Sequence, residues 1–363
     1  MIVPENIHDI DRQFVLIKAM RFPLIVLVVF AHSSGFDRVA MTSDFSGWNI
    51  YHFFSEMVSH NFARLAVCWF YAFSGYLFFC NLKEGDFNFR WVWSKWKKRF
   101  HSLFVPYIIW NIIALLVMFI KNKLSVAIGF GVDDGMDYLR QFDVITWFWL
   151  WPADFPLYFM RDLMLMSLIV PVWYYIVRYA KWVSLILLVL VYVSPLNPSL
   201  PAMRAIFFFG LGAWMGIWKI DMLQVCRYVK WPAAVLALVT LIVATWWNAS
   251  DYHEWLLRAF YPFGMITFMN LCDRLIENEK LCRWLCSMAS TVFIIYAVHE
   301  LYILSWTKGL FLRVFGEGLA GAWISYLFVP VVVIAICLLI YAVLDRFFPK
   351  TLAFVSGGRI ERK

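Results

Sequence analysis

Apolar runs long enough to cross a bilayer recur along the whole chain, at about 14–34, 61–81, 103–120, 155–177, 182–196, 203–219, 231–248, 256–272, 287–306 and 322–344. A span of about 20 apolar residues crosses the hydrocarbon layer as a helix, because a helix satisfies its own backbone polar groups there. The pattern predicts an all-α fold, a polytopic transmembrane bundle of about ten helices, with the fifth and sixth the shortest. No internal repeat, low-complexity tract or long linker divides it, so residues 1–363 read as a single transmembrane domain.

Charge along the chain orients the bundle. The segment after the second run carries Lys83, Arg90, Lys95, Lys97, Lys98 and Arg99, whereas the one before it carries only Arg38. Cytoplasmic loops are the Lys- and Arg-rich ones. The first loop is therefore placed outside, the 82–102 segment inside, and both termini in the cytoplasm. Trp147, Trp149 and Trp151, and Trp91, Trp93 and Trp96, read as interfacial anchors on opposite sides.

Composition agrees: 63% of the residues are hydrophobic, 20% aromatic and 15% charged, more apolar surface than a soluble domain buries. The net charge of +8 gathers in short loops beside apolar runs, so it marks membrane lipids and topology and not nucleic acid. The N-terminal Glu5, Asp9 and Asp11 and the lack of a small-residue cleavage site predict no removable signal peptide. Cys282 and Cys286 share a helical face, but no second Cys/His pair stands near in sequence, so no metal site is expected.

The candidate chemistry begins in the first run. Arg21 and His32 are eleven residues apart, roughly three turns at about 100° per residue, so they share one face roughly 16 Å apart along the axis. Ionisable groups inside a span are costly and usually face a protein interior or wet cavity. Two on one face predict a shared cavity; an interfacial Arg and a His bonded to a carbonyl is the alternative. Pro23 frees the carbonyl of Ala19 and predicts a bend.

Further along, Ser74-Gly75 allows a backbone or a slender ligand to approach closely, and Arg64 falls in the outer first turn of the second run. The segment Lys95-Trp-Lys-Lys98-Arg99 suits lipid head groups or the phosphates of a nucleotide-bearing donor. Arg161 and Asp162 point about 100° apart and need not pair with each other, so a cation or amide donor is expected beside Asp162. Gly212 and Gly216 predict tight helix packing. Tyr296 and His299 share a face, with Glu300 next in the chain.

These stations resemble, in order, the acyltransferase-3 family of integral-membrane acyltransferases. They are Arg21 and His32, the Phe-Ser-Gly-Tyr of 73–76, the basic run into Pro106-Tyr107, Leu157-Tyr-Phe-Met-Arg161-Asp162, Phe209-Gly210, Ser290 with Tyr296 and His299, and Gly357-Gly358-Arg359. Pro23 and Tyr158 depart from the family pattern. The resemblance implies ten core helices in a bacterial inner membrane. It also implies transfer of an acyl group, most often acetyl, from cytoplasmic acyl-CoA to a hydroxyl of an envelope glycan or lipid-linked sugar. No permanently bound cofactor is implied. The chain ends about 20 residues past the last run, so acceptor selection is expected from the membrane domain or a separate protein.

The residues suit that reaction. Acyl transfer to an alcohol needs a base for the hydroxyl proton and a cation or N–H for the developing oxyanion. His32 is assigned as base and Arg21 as the group that orients the donor, with Lys98 and Arg99 beside it. His299 and Tyr296 are helpers; Ser74, Gly75, Arg64, Arg161 and Asp162 are candidates for substrate binding, and a covalent acyl-Ser74 route stays open. A transporter or flippase is the competing class, since intramembrane His, Arg and Asp also mark translocation paths, but related halves are not seen. The orientation is testable: Ser94→Cys is expected to react with a membrane-impermeant thiol reagent only after the cells are opened, and labelling of intact cells overturns the topology.

Overall fold

The computed structural model describes residues 9–34, 39–127 and 143–358, and these are helical with no strand among the described residues. The first helix, α1 (Asp9–Ser33), runs on through Pro23. The second, α2 (Gly47–Phe79), begins fourteen residues before the apolar run that predicts it. Ser46 caps it by accepting from the Asn49 N–H. The extra length holds polar residues that read from sequence as a loop, yet Glu56, Ser59 and His60 are buried, as is Asn61 at the start of the run. Each has a partner: His60 Nδ1 lies 2.7 Å from Glu56, the Ser59 hydroxyl 2.9 Å from Tyr326 Oη, and Asn61 donates to Thr245 at 3.0 Å. A π-helical turn at Glu56–Phe62 rotates them inward.

Helices α1 and α2 pack antiparallel, with Gln13 donating to Tyr76 Oη at 2.7 Å near one end and Phe30 and Ser59 both meeting Tyr326 near the other. This register has a consequence for Arg64. Twelve residues from Tyr76, it lies level with Ile25, between Arg21 and His32 and deep in the bundle. The expected outer first turn is therefore corrected, because α2 continues outward well past residue 61.

The basic segment 95–99 belongs to a helix, α3 (Phe89–Leu124), capped by Asn88 accepting from the Trp91 N–H at 2.9 Å. Next come α4 (Tyr158–Leu168) and α5 (Val170–Tyr192). Lys181 stands at φ 47°, ψ −121° within α5, and the chain folds back there. Trp173 and Leu188 would otherwise lie about 22 Å apart, yet both come within 3.2 Å of a methyl placed on Gly210. A second sharp bend, of 106°, separates α6 (Met203–Ile217) from α7 (Met222–Tyr228). Gln13 accepts from the Met222 and Leu223 N–H groups and ties that bend to α1.

The remaining helices are α8 (Lys230–Trp246), α9 (His253–Leu275), α10 (Glu279–Met288), α11 (Val292–Phe315), bent 50° from α10, α12 (Leu319–Phe347) and α13 (Pro349–Val355). Five described helices are long and apolar enough to cross a membrane, and seven spans result if each bent pair counts as one. The expectation of ten counted 182–196 apart from 155–177, although both reach into the single α5 span, and it counted α8, which is shorter, and α9, which carries Glu254, Arg258, Asp273 and Arg274. Those charges are absorbed by partners such as Arg12 and Arg227, which clamp Asp273 at 2.8 Å each.

Small residues set the central packing. A methyl on Gly75 would stand 2.1 Å from the Phe209 carbonyl oxygen, and one on Gly212 would stand 2.0 Å from that of Ala72. Helices α2 and α6 thus run parallel with backbones nearly touching. The expected role of Gly75 in substrate binding is corrected to this contact, since its open face is filled by α6. Gly75→Val is expected to cost about 3 kcal/mol or more through overpacking, seen as a lowered unfolding temperature and poor yield in detergent.

Candidate active site

One cavity of about 440 Å3 joins α1, α2, α3, α4 and the start of α11. Arg21 and His32 both line it, and so do Ser74, Arg99, Tyr158 and Tyr296. The shared face of α1 therefore opens on one space, as its spacing predicts.

The His32 end is built by a broken helix. α11 loosens into a π-helical turn at His299–Ile303, with Leu301 at ψ 64° and Tyr302 at φ 62°. A positive φ at a bulky residue is strained and persists where surrounding packing enforces it. Neighbouring residues of a regular helix diverge by about 100°, but here His299 and Glu300 both meet His32. Glu300 Oε1 lies 2.9 Å from His32 Nδ1, and the His299 ring packs edge-on at 5.3 Å between centroids. That bond places a proton on Nδ1 of His32 and leaves Nε2 as its basic nitrogen.

His299 is fully buried, and its Nδ1 is 2.9 Å from the carbonyls of both Ile295 and Tyr296. Its proton is thus on Nδ1, and its Nε2 is buried without a partner. An imidazole so held has no N–H to offer an oxyanion; it supports the ring of His32 from behind. The Tyr296 hydroxyl donates to the Pro156 carbonyl, fixing the short turn at Phe155–Leu157 against the cavity. Of the two helper roles open to Tyr296, oxyanion stabilisation or orientation of His32, that bond occupies the donor the first would need. In the adjoining turn, burial and the nearby Glu300 hold the Asp154 carboxyl well above the usual carboxylate range.

At the other end, Arg99 donates to the Ser74 carbonyl at 3.3 Å and lies over the Phe78 ring. Lys98, one residue earlier, points to the exposed face of α3 and does not line the cavity. The Ser74 hydroxyl has no hydrogen-bond partner, so no base is in place to activate it as a nucleophile. Arg359 lies outside the described residues, but Gly357, at φ +68°, closes against the His101 carbonyl and Ser102, next to the cavity wall.

Arg161 and Asp162 form a knot away from the cavity mouth. Arg161 Nε and Nη2 reach Asp162 Oδ1 at 3.1 and 2.9 Å, and Nη1 donates to the carbonyls of Trp149 and Leu150 at 2.9 Å. The second carboxylate oxygen accepts from the Ala202 N–H at 3.1 Å and from Tyr71. Asp162 thus has the cation and the amide donor expected beside it, and the cation is its own neighbour, because the flexible Arg stem turns back onto it. With every group occupied, neither is available to a substrate. Two residues that sequence reasoning did not assign also stand out: Glu300, whose signal was a carboxylate beside an intramembrane His, and Arg204, hidden at the start of an apolar run.

The polytopic bundle thus encloses one cavity lined by Arg21 and His32, with the Glu300 carboxylate against the imidazole. The chain belongs to the acyltransferase-3 family: the model of its acyltransferase domain matches residues 14–342. The protein is an integral-membrane acyltransferase. A relative is the succinoglycan biosynthesis protein ExoH of Rhizobium meliloti (strain 1021), 25% identical over 367 residues, covering 96% of this chain and 93% of that protein. No solved structure matches it significantly. The Arg161–Asp162 knot has a stability test. Arg161→Ala leaves Asp162 buried and unneutralised, and is expected to cost about 3–5 kcal/mol, seen as early thermal unfolding. Wild-type stability with lost turnover contradicts the structural role.

Proposed function

We propose that this acyltransferase moves an acyl group, with acetyl as the simplest case, from acyl-CoA to a hydroxyl of an envelope glycan or lipid-linked sugar at the bacterial inner membrane. The observation that carries the reading is the His32–Glu300 pair opening onto the same cavity as Arg21 and Arg99. His32 Nε2 takes the proton of the acceptor hydroxyl as its oxygen attacks the thioester carbonyl. Glu300 stabilises the imidazolium formed, and the tetrahedral intermediate collapses with cleavage of the C–S bond. The departing thiolate takes the proton from His32, so the base is regenerated.

Arg21 and Arg99 sit toward the basic end of α3, where the phosphates of a nucleotide thioester find cations. Roughly 16 Å separates the levels of Arg21 and His32 along α1, a span suited to the extended arm of CoA. The unpartnered Ser74 hydroxyl favours direct transfer over an acyl-serine. The glycan class of acceptor takes support from the relative, whose name places it in succinoglycan biosynthesis.

With purified protein and radiolabelled acetyl-CoA, His32→Ala is expected to reduce turnover at least 100-fold with donor affinity retained. Arg21→Ala chiefly raises the donor KM, and Glu300→Gln lowers kcat about 10- to 100-fold. Near-normal turnover in His32→Ala overturns the base assignment.

A further inference from the structure

A second group of cations lies beside the cavity, at the depth between Arg21 and His32. Arg64 is level with Ile25 by the α1–α2 register set at Gln13 and Tyr76. Arg204 follows from the parallel packing of α6 on α2, where Gly212 faces Ala72 and Tyr76, and Gly216 faces Tyr76 and Cys80. Carried back along α6, this register puts Arg204 within about one turn of Arg64. Tyr158 stands at the same depth, since Asp162, one turn on, meets Tyr71.

Side chains close the group. The Arg204 guanidinium lies 5.8 Å from the centre of the Tyr261 ring. It is within electrostatic range of the Tyr261 and Tyr158 hydroxyls, the Cys68 thiol and Glu254, and Arg64 acts on the same two hydroxyls. Neither guanidinium forms an ion pair or a hydrogen bond with a described residue. The Tyr261 hydroxyl, on a side chain 1% exposed, has no partner either. Yet both arginines keep some accessible surface, although Cys68, Tyr71 and Tyr261 around them are sealed. Two guanidinium groups with no direct ion pair or hydrogen bond in an apolar bundle are expensive unless something anionic visits them.

We propose that Arg64 and Arg204, with the Tyr158 and Tyr261 hydroxyls, bind a carboxylate or phosphate group carried by a substrate of the transfer reaction. Tyr158 also lines the cavity of His32, so it joins the anion site to the reacting centre. Guanidinium groups offer paired N–H donors that match either oxyanion, and phenol O–H groups complete the cage. The anion has two sources: the far end of a dicarboxylic acyl chain, or an acidic or phosphate-linked acceptor. The word substrate rests on the acyl-transfer reading; the anion site does not.

The test separates the two. Succinate is expected to raise the unfolding temperature of the purified wild-type protein in detergent in a saturable way, while neutral succinamide does not. Arg64→Gln and Arg204→Gln are expected to lose that shift, and Arg204→Lys to keep part of it. Glutamine variants that fold and show the wild-type shift overturn the proposal. In turnover assays, an about tenfold or larger fall in the kcat/KM ratio of succinyl-CoA to acetyl-CoA assigns the anion to the acyl chain. A fall confined to uronic-acid-bearing over neutral oligosaccharides assigns it to the acceptor. Unaltered ratios in both arms overturn the site as a substrate site. A wild-type protein that is stabilised by succinate through these arginines but uses no acyl-CoA refutes the acyl-transfer reading and leaves the anion site standing.

Discussion

The contact between His32 and Glu300 is the one on which the reactive end of the cavity depends. A carboxylate at 2.9 Å from Nδ1 selects the tautomer of His32 and leaves Nε2 facing the cavity. His299 and Glu300 both meet His32 where α11 loosens into its π-helical turn, with the positive φ of Tyr302 just beyond them.

The same rule, that charge in this interior survives by pairing, sorts the other polar residues. Asp162 is saturated by Arg161, Tyr71 and the Ala202 amide. Asp273 is clamped by Arg12 and Arg227, and Arg258 is spent on the carbonyls of Tyr192, Ser194 and Leu196. These groups hold loops and bends in place. Saturation leaves them nothing for a ligand, whereas Arg64 and Arg204 are distinguished by the lack of it.

Sequence pattern revealed the class and the α1 pair, because helical periodicity within one continuous span is a local property. Arg21 and His32 needed only eleven residues of regular helix to be placed on one cavity. What depended on tertiary partners was not legible. The polar stretch 55–60 read as a loop, since nothing local announces that Tyr326 waits to satisfy Ser59. Gly75 read equally as a ligand contact or a packing face until the α6 backbone was found against it. The proton of His299 was unassignable without its two carbonyls. At Asp162 a cation or amide donor was legible as a need, but its identity was not: backbone angle separates neighbouring Cβ atoms, and the long Arg161 side chain bridges the gap.

Depth along α1 gives the functional groups an order. Arg21 lies nearest the basic segment of α3, Arg64 and Arg204 lie level with Ile25, and His32 lies farthest from that segment, beside the broken turn of α11. Because α2 packs with its backbone against α6 at Gly75 and Gly212, the two middle cations cannot drift apart without opening the tightest contact in the bundle. Backbones in contact resist sliding far more than side chains do. The spacing between these two cations is thus fixed by main-chain contact. In a transfer reaction, such fixed spacing is what positioning of an anionic group requires.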